Sequence, residues 1–374
     1  MHPVMAVDLG SATISAAAAL AAPAPDPAVL TVNDHPTYSP AITVDIEGVP
    51  HPCTWTGQAI DRVERPDLLL DLPPQIIGDV PLSGATLTGV AIGPALAAAA
   101  AHFGSEPTVL VGVHPAWWPA GKIADYQRAL ARMTPTVALA SWPDAIAAQT
   151  VPPPDASHVT VLDFGASTAT VTVVKFSRKG AAAVHFTHTD RQGGSRGVDR
   201  MIVADTAATA GVDLTGVDRD WWDATGGRVA AARSQWCRDD SSWPQAVPID
   251  FPAPLGRRTV PGARIRQITT RHMQKIVSGL VVREEVQAAW ASDRTATSTQ
   301  PIVEVTGGFG QDSAVLAAVR AEAGRADLVP EPASAAAFGA VLAHAPNWIQ
   351  PSERPTRFRL RRPRTSVPSK RQRS

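Results

Sequence analysis

Two stretches of the chain repeat one succession of apolar and polar positions. Val159 to Phe176 reads VTVLDFGASTATVTVVKF: an apolar run to Leu162, a carboxylate at Asp163, small residues Gly165, Ala166, Ser167 and Thr168, then an alternating return through Thr170 to Val174. Val4 to Ala18, VMAVDLGSATISAAA, has the same order, with Asp8, then Gly10, Ser11 and Ala12, then a second apolar strand. Each pattern predicts a β-hairpin with an acidic residue at its mouth. A repeat at about half the chain length predicts two similar halves, each offering one hairpin to a shared cleft.

Between these stretches the pattern predicts mixed α/β structure. Val29–Val32 reads as a strand and Thr56–Leu70 as a short helix broken by Pro66, while Pro73-Pro74 keeps Leu72–Gly78 out of regular helix. An Ala-rich helix is predicted over Ile92–Phe103, a buried strand over Thr108–Val113, a helix over Ala120–Met133, a strand over Val137–Ala140 and a helix over Pro143–Gln149. Pro152-Pro153-Pro154 marks the best boundary between halves. After it come a strand at Ala181–Thr189, a helix opening near Val198 behind Gly193-Gly194, and an insertion with a helix at Thr225–Cys237 and a β-like Val247–Pro252. One long amphipathic helix is expected over Ile265–Trp290, then a strand at Ile302–Val305 leading into Gly307-Gly308, a helix over Ser313–Ala323 and a last Ala-rich helix over Pro332–His344.

Charge changes this picture at one end. The chain is formally neutral, but nine Lys or Arg and one acid lie between Glu353 and Ser374, so residues 1–352 carry a net of −8. The tail, residues 349–374, reads as a disordered solubilising end or as a basic segment for an acidic partner or an anionic membrane face. No specific nucleic-acid partner is expected. Cys53 and Cys237 lie far apart without a His cluster, which argues against a disulfide framework or a zinc site, and the 10 His show no ligand spacing. The Ala-rich start has no basic n-region and places Asp8 in its apolar stretch, so it reads as folded strand. The closest approach to a membrane span is the short Ala95–Ala101 run. A cytoplasmic protein, peripheral at most at the inner membrane, is the expectation.

Small residues at both hairpin tips leave backbone N–H groups open to a phosphate, and Asp8 and Asp163 can hold a hydrated Mg²⁺ against it. Alternatively these carboxylates accept local backbone bonds, and Gly307 and Gly308 are ordinary turn glycines. The pairs Trp117-Trp118 and Trp221-Trp222 read as one buried ring and one surface ring, or as part of a partner-binding patch.

The order of motifs carries a family resemblance. AVDLGSAT and LDFGASTATV resemble the two phosphate hairpins of the Hsp70 nucleotide-binding domain, within the actin, hexokinase and Hsp70 superfamily. VLVGVHPAWW and SWPDAIAA resemble its connecting strand and helix, RQGGSRGVDRMI the Gly-Gly segment opening a helix of the second lobe, VTGGFGQDS the adenosine-side loop, and PASAAAFGAVL the closing helix. The match spans nearly all of residues 3–348. Size and Ala/Pro content are most like the Hsp70-like proteins associated with type VII secretion in actinobacteria.

The resemblance implies two RNase-H-like lobes around a nucleotide cleft. It divides the chain into lobe I (1–154, with an inserted subdomain about 34–90), lobe II (155–331, insert about 213–262) and a closing helix (332–348) returning to lobe I. It implies ATP or ADP with Mg²⁺ at Asp8, Gly10, Ser11, Ala12, Asp163, Gly165, Ala166, Ser167, Thr168, Gly193, Gly194, Gly307 and Gly308, with Mg²⁺ held through water by Asp8 and Asp163.

Departures from the family pattern bear on chemistry. The segment that carries its phosphate-side Lys corresponds to Leu72–Gly78, without a cation. Trp142 stands where the family has Glu, Thr170 and Ala333 where it has acids, and the ribose-holding Lys and Glu fall near Gln235 and Ala232. Losing a positioned cation and a water-orienting carboxylate removes most of what accelerates phosphoryl transfer, at ~2.7–4 kcal/mol per group. The expectation is a weak or inactive ATPase acting as a scaffold or regulatory component beside type VII secretion. The alternatives are an active ATPase or chaperone-like member and an actin-like filament former.

Overall fold

The computed structural model describes residues 2–54, 56, 59–63, 75–77, 80–151, 157–235, 244–294 and 301–348. Pro152–Pro154, Cys237, most of Leu72–Gly78 and the basic tail lie outside the described residues.

β1 (Pro3–Leu9) and β2 (Ile14–Leu20) form an antiparallel hairpin, and β3 (Ala28–Val29) and β4 (Thr37–Tyr38) both lie along β2. β5 (Ile42–Asp45), β6 (Pro50–Pro52) and β7 (Ala59–Val63) make a small antiparallel sheet, and β8 (Gln75–Ile77) pairs with β9 (Val80–Leu82). α1 (Gly84–Phe103) leads to β10 (Val109–His114), parallel to β1. Then follow α2 (Ala120–Leu130), β11 (Thr136–Ser141), parallel to β10, and α3 (Trp142–Gln149).

The second half begins with the antiparallel strands β12 (His158–Phe164), β13 (Ala169–Phe176) and β14 (Ala182–Asp190). α4 (Ser195–Ala210) and α5 (Arg219–Ser234) precede a hairpin of β15 (Ala246–Asp250) and β16 (Arg257–Pro261). α6 (Gly262–Val281) and α7 (Glu284–Arg294) lead to β17 (Val303–Thr306), parallel to β12. α8 (Ser313–Ala323), β18 (Asp327–Leu328), parallel to β17, and α9 (Ala335–His344) complete the described chain.

The main sheets are ordered β11-β10-β1-β2-β3 and β18-β17-β12-β13-β14. In each, a central hairpin has parallel strands on one flank and an antiparallel strand on the other, so the sequence repeat extends to the topology. The molecule is mixed α/β.

Strand periodicity explains the core. Met5, Val7 and Leu9 of β1 join one cluster with α1, α2, Leu110 and Trp118, whereas Val4 and Ala6 point the other way. On that opposite side, Val4, Ala6, Ala17 and Ala19 share a cluster with Val159, Val161, Val174 and Phe176 of the second sheet and with Ala335–Val341 and Ala145–Ala147. α3 and α9 therefore sit within the core that joins the two sheets, and α9 packs on β1, β2 and β10. Small side chains allow this: a Cβ on Gly339 would lie 1.9 Å from the Ala145 carbonyl oxygen.

Three expectations are corrected. The helix over Thr56–Leu70 is not formed in its described part, because Ala59–Val63 pairs with β5 from Ile42 to Asp45; tertiary pairing overrides local propensity. The single helix over Ile265–Trp290 is two. Its periodicity runs on, but Glu284 and Glu285 favour a fresh N-terminus, and Gln287 Nε2 donates to the Val281 carbonyl at 2.7 Å, capping α6. The Ala-rich helix starts at Gly84, ahead of the predicted Ile92, with Ser83 accepting from Thr86 N–H at 3.1 Å. At that length α1 is the one helix among the described residues long and apolar enough to cross a membrane. One face of it, including Leu87, Ala91, Ile92, Ala95 and Ala99, is buried in the first core.

Candidate functional site

Both hairpins turn through four residues closed by the same bond. Gly10 N–H donates to Thr13 O at 3.0 Å and Gly165 N–H to Thr168 O at 2.9 Å. Asp8 pairs in register with Ser15, and Asp163 with Thr170. A Cβ on Gly10 would sit 2.6 Å from Thr13 O, so this turn requires glycine; on Gly165 the nearest atom would be 3.5 Å away.

The hairpins meet. Ser11 Oγ and Ser167 Oγ are 2.8 Å apart, and Arg196 Nη2 donates to the Ser11 carbonyl at 2.8 Å. Beside them opens a cleft of about 1240 Å³, lined from the first half by Asp8 to Thr13, Trp117, Trp118, Lys122 and Trp142. The second half contributes Asp163, Gly165 to Thr168, Thr170, Arg196, Arg233, Ser234, His272, Lys275 and Gly307 to Phe309. Trp117 is exposed and stacks under the Arg191 guanidinium, 4.6 Å from its ring centroid, while Trp118 is buried. Trp221 and Trp222 differ: both are half-buried and meet edge to face at 5.4 Å.

Most residues singled out from the sequence come together here. Asp8, Gly10, Ser11, Ala12, Asp163, Gly165, Ala166, Ser167, Thr168, Gly307 and Gly308 all line the cleft, as do the three departures Trp142, Thr170 and Ala333. Gly193 and Gly194 are not in the lining. A Cβ on Gly194 would lie 2.5 Å from the Ala166 carbonyl, and one on Gly193 2.8 Å from Ala169 Cβ. These glycines let α4 start against the second hairpin, whose Gly165 and Ala166 carbonyls accept from Ser195 and Arg196 N–H at 3.1 and 2.9 Å. Those first N–H groups thus serve the hairpin. Gly307 has φ +85°, and a Cβ there would lie 2.4 Å from Asp163 Oδ1, so only glycine closes the wall behind that carboxylate.

Burial pushes Asp8 up to about 6 and Asp163 to about 8, the latter helped by the charge of Asp8. Two carboxylates aimed into a cleft between small-residue turns can bind a hydrated divalent cation or, when protonated, donate hydrogen bonds. Among the described residues, no group of three or more His, Cys, Asp or Glu is arranged to hold a metal. Any cation here would complete its shell with water and ligand oxygens.

Sequence reasoning missed the strongest electrostatic feature. Arg233, 5% exposed, donates from Nε to Asp199 at 3.1 Å and from Nη1 to Asp312 at 2.9 Å, and lies 4.5 Å from the Phe309 ring centroid. Burial raises Asp199 to about 6 against the opposing pull of Arg233. Asp312 also caps α8, accepting from Ala314 N–H at 2.9 Å. The triad ties α4, α5 and α8 into one cleft wall; its one sequence signal is Asp312 immediately before a helix. It also missed Lys122, buried in the lining with Nζ 4.6 Å from the Trp118 ring centroid. Ala232 packs partly into the second core, and Gln235 ends α5.

Compared with known proteins, the chain matches no family model and no curated protein sequence.

Proposed function

We propose that this chain is a nucleotide-binding protein of the actin/Hsp70 type. Its lobes would be residues 1–154 and 155–331, with 332–348 closing back on the first, around a cleft for ATP or ADP with Mg²⁺. The observation that carries this reading is the pair of matched hairpins, on sheets of matched order, whose tips meet at Ser11 and Ser167 beside one cleft with Asp8 and Asp163.

The residues present fit such a ligand. Phosphates suit backbone N–H groups at small-residue turns, and Mg²⁺ suits one or two carboxylates supplemented by water and phosphate oxygens. Gly307, Gly308, Arg233 and Ser234, also in the lining, would receive the nucleoside. Trp142, Thr170 and Ala333 stand in that lining where the resemblance implies acidic residues, and losing a water-orienting carboxylate among them makes turnover slow or absent. The biological reading that follows is a cytoplasmic scaffold or regulator working through protein partners, with type VII secretion components as the first to test. Its basic tail would add contact to an acidic partner or an anionic membrane face.

Calorimetry with Mg²⁺·ATP and Mg²⁺·ADP tests the core of this. Saturable binding weakened by Asp163→Ala, with hydrolysis far below that of an intact Hsp70, is expected. Absence of binding overturns the nucleotide reading. Robust hydrolysis abolished by Asp163→Ala favours the active-ATPase alternative.

A further inference from the structure

Trp117 and Trp118, neighbours in the first half, are held in unlike ways. Trp118 is buried, with the Lys122 ammonium 4.6 Å from its ring centroid and the Tyr126 ring edge to face at 5.6 Å. It fixes the backbone from which Trp117 projects. Trp117 is 38% exposed, and its ring carries the guanidinium of Arg191, 4.6 Å from the centroid.

Arg191 comes from the second half. It follows Asp190, the last residue of β14, whose Oδ1 accepts from Gln192 N–H at 2.8 Å, and it lies just before the close-packed Gly193 and Gly194. Its exposed side chain therefore leaves a loop that is pinned on both sides. Trp117 and Arg191 both line the cleft and both reach solvent, so their contact joins one half to the other at the edge of the cleft. The contacts of Ser11 with Ser167 and Arg196, by comparison, are part-buried. An Arg over an indole face is held by the ring quadrupole and by stacking, and an exposed pair of this kind is weak enough to open and reclose.

We propose that Trp117 and Arg191 form a strap across the edge of the cleft, which parts and recloses as a ligand enters or leaves. Such a strap slows entry and exit by the same factor and leaves affinity unchanged, because it is remade once the ligand is inside. A residue that contacts the ligand instead changes exit and affinity together. The strap belongs to the cleft whatever the ligand is, and only the first of its two tests rests on the nucleotide reading.

That first test is stopped-flow kinetics of N-methylanthraniloyl-ADP with Mg²⁺ on the full chain. The chains compared are wild type, Trp117→Leu, Trp117→Phe, Arg191→Met and the double variant Trp117→Leu/Arg191→Met. Trp117→Leu keeps the charge of Arg191 and should speed association and dissociation together by about two- to fivefold, the size expected for loss of an exposed cation–π pair, with the dissociation constant within about twofold. Trp117→Phe keeps a weaker aromatic face and should fall between. The double variant should dissociate no faster than Trp117→Leu, since the strap is already open. Unchanged rates, a rise in dissociation alone, or additive effects in the double variant overturns the strap.

The second test needs no nucleotide. In a Cys53→Ser/Cys237→Ser background, Ala333→Cys places one thiol in the cleft lining, and its labelling by N-ethylmaleimide is followed in the ligand-free chain. Trp117→Leu should raise the labelling rate by the same two- to fivefold, about the factor seen in the kinetics. Equal labelling overturns the strap. Faster labelling in a folded chain that binds no nucleotide keeps the strap and overturns the nucleotide reading. Thermal melts establish that each variant is folded.

Discussion

The hairpins β1–β2 and β12–β13 have the same turn length, the same closing bond and the same acidic position, yet they are held in unlike ways. The second is anchored within its own half: α4 donates its first N–H groups to the Gly165 and Ala166 carbonyls, and Gly307 closes behind Asp163. The first is anchored from across the cleft, where Ser11 accepts from Arg196 and meets Ser167. Its turn is also the tighter, since Gly10 has no space for a Cβ where Gly165 nearly does. Repetition in sequence therefore fixes local geometry, while surroundings decide which hairpin is a rigid wall and which depends on its neighbour.

The largest test of this contrast is at Arg233. Arg233→Met leaves Asp199 and Asp312 buried without their cation, and breaking a buried pair from one side typically costs ~3–5 kcal/mol. Because Asp199 is on α4 and Asp312 caps α8, the loss falls on the support of the second hairpin. Denaturant titration should show a stability loss of that size, and hydrogen exchange should quicken at β12–β13 before β1–β2. Exchange that rises first in β1–β2 would reverse the assignment of wall and dependant.

The carboxylates sharpen the comparison at the next level. Both have folded pKa values raised above the ~3.9 of an unfolded Asp, so the native state binds more protons than the unfolded one between those values. Stability falls as pH rises from about 4, through about 6 for Asp8 and about 8 for Asp163, and then levels. Without added Mg²⁺, Asp163→Asn should raise the melting temperature at pH 8.5 by about 5 °C or more. It should change little at pH 4.5, where the native carboxyl is already protonated. Asp8→Asn should act in the same direction by less. Equal effects would mean that the two sites are electrostatically equivalent despite their different walls.

How much of this was legible in the sequence follows from what each feature depends on. The hairpins, the α/β order and the helix Ser313–Ala323 were readable because alternation, small-residue turns and a capping Asp are local signals. The division of Ile265–Trp290 was not, because its apolar period continues across the break, Glu284 and Glu285 are a weak local signal, and the Gln287 bond to Val281 that caps the first helix shows only in the structure. The strand Ala59–Val63 depends on its partner β5, which a window of helix-like sequence does not reveal. For the cleft, Gly10, Gly165, Gly307 and Gly308 are in the lining, whereas Gly193 and Gly194 lie outside it and pack closely against the second hairpin, and a glycine spacing alone does not distinguish a ligand's approach from a helix's. Arg233 and Lys122 were missed because a lone cation in a helix looks like a solvated one until burial and partners are known.

The smallest expected effect concerns the one side-chain bond between the hairpin tips. Ser11 Oγ and Ser167 Oγ are part-buried, and a neutral hydrogen bond of this kind contributes ~0.5–1.5 kcal/mol. Ser11→Ala and Ser167→Ala should each cost no more than that, and the double variant should cost less than their sum, because the second removal takes away an interaction already lost. Since the first hairpin leans on this contact and on Arg196 Nη2, the released bond should register there as faster exchange at the Gly10 amide, with the Gly165 amide less affected because α4 still holds its turn. Additive costs in the cycle would show that the tips do not depend on each other. Faster exchange at Gly165 than at Gly10 would show that the dependence runs the other way.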